Sequence, residues 1–218
     1  MTLHPRIRKV TPGHLLRAAP SAPSLPNGLV AEVLAAWASA GRHYHSAEHL
    51  LEIAGWYEVI ANGPGWRKPL EVWLAMLFHD AIYEVGAPDN ESRSAAMASR
   101  AIHAWALQAE ADRVQQLIEW TAMHGQALDV ADDPDAALFL DCDMVILASP
   151  PERYRRYERQ VRAEWLPVVG PEAFATGRAR FLDTLCAAAH RFHSPWFRER
   201  FEAQALVNLE GARRALGA

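Results

Sequence analysis

The sequence predicts an all-α fold, a single bundle of about eight helices, and three observations carry that prediction. From Leu29 onward, apolar residues recur at helical spacing between Gly and Pro breakers. Val, Ile and Thr together number 25, yet they sit inside those helical patterns rather than in alternating runs. At 218 residues the chain is long enough for one domain with its own core.

The elements follow in order. Pro12, Pro20, Pro23 and Pro26 predict an extended or disordered tail over residues 1–26, with the helical domain over 27–218. Val30 to Ser39 reads as a helix closed by Gly41. Ser46 is a good N-cap for a helix running to about Ala61, and Asn62-Gly63-Pro64-Gly65 forces a turn. Pro69 starts a helix whose body, Leu70 to Tyr83, is nearly continuous apolar sequence. Pro88-Asp89-Asn90 opens the next, through about Leu107, and another covers Asp112 to Met123. An acidic loop from Asp129 to Asp135 follows. Four more helices read as Ala136 to Ala148, Pro151 to Leu166, Pro171 to Phe192 and Pro195 to Leu216.

Composition excludes several function classes. The net charge of −4 argues against non-specific binding to nucleic acid or anionic membranes. No stretch reaches the ~18 apolar residues of a membrane span, and the basic N-terminus lacks a signal peptide's apolar core. Cys142 and Cys186 form no CxxC pair, so a thiolate zinc site and a disulfide framework are both disfavoured. That usage fits a cytoplasmic protein. Ten His against two Cys is the imbalance that points to chemistry.

Three segments hold it. In Arg42-His43-Tyr44-His45-Ser46-Ala47-Glu48-His49, His45 and His49 are four apart, so both imidazoles reach one site, or both line a solvated helix entrance. In Leu77-Phe78-His79-Asp80-Ala81, an imidazole and a carboxylate end a long apolar run. There they need a metal or one another. In Leu138 to Leu147, Asp141 and Asp143 are embedded in apolar sequence and require partners. Residues i and i+2 point about 200° apart on a helix, so both cannot face one site. One binds a metal and the other supports or caps, or both cap. The ordered set of imidazoles and carboxylates is what a hard or borderline divalent cation wants.

This order, His … His-Asp … Asp, resembles the HD superfamily of metal-dependent phosphohydrolases, which are all-α. Tyr44-His45 with His49 is similar to the first signature of its cyclic-nucleotide phosphodiesterase branch. The wider pattern resembles a bacterial group of predicted HD-domain phosphohydrolases. It comprises Arg42 to His45, Phe78 to Ala81, Asp89-Asn90-Glu91 with Ser94-Ala95, Thr121 with His124, and Asp141 with Asp143. Tyr154, Tyr157, Arg162 and Glu164 continue it, and it spans roughly residues 29–190.

The resemblance implies an HD-like bundle and a phosphate-ester hydrolase with a metal-activated water. Its metal ligands would be His49, His79, Asp80 and Asp143, with Asp141 as the alternative to Asp143. Asp143 is preferred because a small residue precedes it and a large apolar one follows. His45 becomes the general acid, its ordinary pKa near 6.5 suiting proton transfer. Asp80 would bridge to a second metal, and His124 would ligate one. Glu91, with Glu84 behind it, would orient a water or act as base. Arg42 and Arg93 would hold the phosphate. The cofactor is one or two divalent ions (Mn, Mg, Zn, Ni, Co or Fe). The substrate is a small, nucleotide-like phosphate ester, and a homodimer is allowed. Two rivals stand beside it: di-iron oxygen chemistry on the same scaffold, and a non-catalytic metal-binding module.

Overall fold

The structure is a computed structural model that describes residues 10–126 and 128–216. Among these residues it is all-α, with ten α-helices and no strand. The helices are α1 (Pro12–Ala18), α2 (Asn27–Trp37), α3 (Ala47–Ala61), α4 (Pro69–Phe78), α5 (Asn90–Ala104), α6 (Ala111–Thr121), α7 (Pro134–Met144), α8 (Pro151–Val169), α9 (Pro171–Ala187) and α10 (Pro195–Leu216). A 3-10 turn, Val145–Ala148, extends α7. No helix among them is long and apolar enough to cross a membrane.

Helix α4 sits at the centre. Every side chain from Glu71 to Phe78 is buried, as a helix apolar all round must be. It packs on α3, α5, α6 and α7. Asp135, which the structure places in the first turn of α7 and not in the acidic loop, holds the approach to α4 by accepting the Arg67 and Lys68 backbone N–H groups at 2.9 and 2.7 Å. That carboxylate is buried and ties the start of α7 to the segment before α4. At the far side, α10 packs on α9 and on the 3-10 turn.

The structure shortens α4 relative to the Leu70–Tyr83 expectation. The chain leaves the helix at His79 because side chains satisfy the backbone beyond it. Ser94 Oγ accepts from Ile82 N–H (3.0 Å) and donates to Ile82 C=O (3.2 Å). Asn90 accepts from Glu84 N–H (2.9 Å) and donates to Glu84 C=O (2.8 Å). Helix α9 likewise ends at Ala187 instead of Phe192, and α5 at Ala104 instead of Leu107.

The tail expectation is corrected over residues 10–26, while residues 1–9 lie outside the described residues. Pro12 opens α1, where a missing N–H costs nothing. Leu15 and Ala19 are buried in the common core, and α1 packs on α2 and α3. Ser21 then donates its N–H and its hydroxyl to the two oxygens of Glu58, each at 2.8 Å. The first proline-rich segment is therefore part of the domain.

Candidate metal centre

Four helix ends converge beside α4. His49 lies in the first turn of α3, His79 and Asp80 follow α4, His124 follows α6, and Asp143 lies in the last turn of α7. The ligand atoms of His49, His79 and Asp80 all fall within 4.8 Å of one another. Two atoms bonded to one ion at ~2.1 Å stand at most about 4.2 Å apart, so the cluster is close to binding dimensions. Asp143 adjoins the two histidines. Its Oδ1 is 3.0 Å from His49 Nε2 and 3.7 Å from His79 Nε2, and its Oδ2 is 2.8 Å from His124 Nε2.

His79 supplies the most telling detail. Its Nδ1 is 2.9 Å from the Met76 carbonyl, an acceptor only, so Nδ1 carries the proton and Nε2 presents its lone pair in the neutral ring. Nε2 is buried and has no hydrogen-bond partner among the described residues. It is 3.3 Å from Asp80 Oδ2 without hydrogen-bond geometry. A buried imidazole whose second nitrogen is fixed by a carbonyl is the arrangement of a metal-ligating histidine. Trp37 backs it: its indole N–H donates to Leu77 C=O at 2.8 Å, and its ring lies 5.3 Å from that of His79.

The electrostatics favour positive charge at this point. Burial alone would lower the His79 pKa, but Asp80 and Asp143 outweigh it and carry it up to about 9. Burial opposes ionisation of both carboxylates, yet His79 holds Asp80 down to about 2. His79, with His124 and His49, holds Asp143 well below the usual range. Two imidazoles and two carboxylates form a donor set that suits a borderline divalent cation.

His45 stands at the edge of the cluster, its ring centroid 6.4 Å from that of His49. It stacks on Tyr83 at 4.0 Å, and its Nδ1 is 2.7 Å from Glu164 Oε2. Burial lowers the His45 pKa, but the Glu164 hydrogen bond and the nearby carboxylates raise it on balance. Glu164 is itself buried and kept ionised. Its Oε1 accepts the backbone N–H groups of His43, Tyr44 and His45 at 2.6, 2.7 and 3.0 Å.

Several sequence expectations change here. Asp141 faces away from the histidines. It accepts from His193 N–H (2.6 Å), Ser194 N–H (2.8 Å) and Ser194 Oγ (2.6 Å), and so anchors the loop before α10. Burial pushes its carboxyl up to about 6 against those three donors. Arg42 is not free for a phosphate, because its guanidinium is spent on Ser39 and on backbone carbonyls. Arg93 pairs on the surface with Glu84 (2.7 Å) and Asp89 (3.5 Å). Glu84 is committed to that pair. Glu91 stands in the first turn of α5, where an acid favours the helix dipole, and among the described residues no hydrogen bond or ion pair ties its side chain to the cluster.

Glu164 enters the sequence pattern only as a downstream position, and what it, Tyr83, Trp165 and Trp37 do at the site comes from the structure alone. Trp165 Nε1–H donates to Tyr83 OH at 3.0 Å and steadies the ring under His45. One signal was readable. Tyr154, Tyr157, Val161 and Glu164 repeat at the spacing of a buried stripe on α8. An acid in such a stripe demands a partner. No protein-family model, curated protein or solved structure matches the chain.

Proposed function

We propose that the chain is an HD-type, metal-dependent hydrolase of small phosphate esters, nucleotide-like in class. The observation that supports it most is His79 Nε2, buried and without a hydrogen bond among the described residues, beside His49, Asp80 and Asp143. Those four residues would hold the ion. When bound, a divalent cation supplies a water of lowered pKa and polarises a phosphoryl oxygen. His45 lies beside the cluster with Nδ1 engaged by Glu164, so its Nε2–H is the proton available to a departing oxygen. Glu164 and Tyr83 hold that ring in one orientation. His124, bonded to the outer oxygen of Asp143, is the residue available to a second ion. Both cysteines are free, which fits a reducing compartment.

Metal analysis of the purified protein and of two variants tests this. His79→Ala and Asp80→Ala should each lose bound metal, and hydrolysis of phosphate esters with added Mn, Mg, Co or Ni, while keeping the wild-type helical signal. Unchanged metal content in either variant sinks the assignment. Two irons with a visible charge-transfer band would move it to oxygen chemistry, with His124 as the extra ligand. Bound metal without turnover on monoesters, diesters or nucleotides would leave a binding module.

A further inference from the structure

Arg42 is nine-tenths buried, and its donors reach four acceptors. Nε donates to Ser39 Oγ at 2.6 Å, Nη1 to the carbonyls of His45 (3.0 Å) and Asp80 (2.6 Å), and Nη2 to the Ala81 carbonyl (2.9 Å). One nitrogen therefore joins the backbone of His45, before α3, to the backbone of Asp80, after α4. The rings of Trp37 and Tyr83 lie 5.7 and 5.6 Å from Cζ, and Tyr83 is the ring on which His45 stacks.

The loop from His43 to His45 belongs to no helix. Glu164 takes its three N–H groups and ties it to α8, while Arg42 takes the His45 carbonyl and ties it to the end of α4. Two side chains of opposite charge thus set the position of His45. Glu164 fixes the ring, and Arg42 alone connects that ring's backbone to an Asp80 carbonyl. A lysine ammonium cannot replace a planar fork spread over divergent acceptors.

We propose that Arg42 is a positioning residue that registers the proton donor His45 against the metal-ligand pair His79–Asp80. The proposal rests on the hydrolase reading above for its kinetic signature, though not for its structural one. Loss of Arg42 leaves His49 and Asp143 on their own helices and His79 at the end of α4 with Nδ1 held by the Met76 carbonyl, so metal is kept. His45 keeps Glu164 but loses its alignment to the reacting centre.

Arg42→Lys and Arg42→Ala, checked for folding by circular dichroism, are the test. Metal affinity is read with Mn2+ alone, and turnover with two diesters differing only in leaving group, p-nitrophenyl and phenyl. The phenyl ester needs a proton at its departing oxygen far more than the p-nitrophenyl ester does. In both variants kcat on the phenyl ester should fall about 100-fold, within the range of one general acid. The p-nitrophenyl ester should fall less than ~10-fold on the same basis, with Mn2+ affinity nearly unchanged. Sub-denaturing guanidinium, but not methylamine, should restore the Arg42→Ala rate. Equal losses on the two esters, or loss of Mn2+ affinity in step with turnover, overturn the proposal.

If the wild-type protein cleaves neither ester, the Arg42 role is read by NMR, and the hydrolase reading falls only when monoesters and nucleotides are inert as well. The His45 Nδ1–H signal, sheltered by Glu164, should be sharp in the wild-type protein and broadened or lost in Arg42→Lys. An unchanged signal overturns the proposal. Should Arg42→Ala fail to fold, Arg42→Lys carries both measurements.

Discussion

Glu164 uses its two oxygens for different tasks. Oε1 collects three consecutive backbone N–H groups, and Oε2 meets His45 Nδ1. Burial lowers the His45 pKa, and the Glu164 hydrogen bond is the largest cause raising it, with the negative charge of Glu164 adding to those of Asp80 and Asp143. Glu164→Gln keeps the shape and removes that charge, so the His45 pKa should fall. A proton donor must be protonated, and the rate is lost as pH rises through its pKa. The high-pH limb of kcat/KM should therefore move to lower pH in Glu164→Gln, and an NMR titration of His45 should move with it. An unshifted limb would remove His45 from the donor role. The chemistry-bearing types were legible at this scale: His45, His49, His79, Asp80 and Asp143 all meet at one place, the first two marked by their i, i+4 spacing and the other three by standing out against apolar sequence. Arg42 misled because nothing in a sequence distinguishes an arginine facing a ligand from one facing carbonyls.

The same contrast appears among the elements. Most helices could be read because Pro, Gly and helical spacing are local signals. Their ends could not, where distant side chains decide them, as Ser94 and Asn90 do after α4. Helix α1 was hidden for a related reason: four prolines read as extended, while the burial of Leu15 and Ala19 depends on α2 and α3. The last turn of helix α7 carries two acids with opposite duties. Asp143 turns to the histidines, and Asp141 holds the loop that starts α10. The i, i+2 spacing predicts that they diverge, but which one faces the site depends on a loop far along the chain. Asp141→Ala would strand a buried N–H, a part-buried N–H and a buried hydroxyl, at a cost on the order of 3 kcal/mol. It should lower the urea midpoint and leave metal content unchanged. Asp143→Ala should abolish metal binding. If Asp141→Ala loses metal while its urea midpoint holds, the division of labour on α7 is wrong.

At the scale of the whole molecule, the cluster is a place where positive charge stabilises the fold. His79 has a folded pKa near 9 against an ordinary value of ~6.5. Its contribution is complete below ~6.5 and is lost as pH rises through about 9. Asp80 and Asp143 are shifted down, so their contributions are lost only as pH falls below ~4, outside that window. A cation bound to His79 Nε2 must displace its proton. Metal affinity should therefore rise across the same window in which protonic stabilisation fades. Chelator-treated protein should lose thermal stability from pH ~6.5 to ~9, and Mn2+ should restore it through preferential binding to the folded state. At this chain length each kcal/mol is worth about 2–4 °C in Tm, so a gap of several degrees should open between the two curves and widen with pH. His79→Ala should show neither the decline nor the gap. Calorimetry across that range, with and without Mn2+, measures all three. A gap that stays constant or narrows as pH rises would mean that His79 does not carry the charge at the centre of this fold.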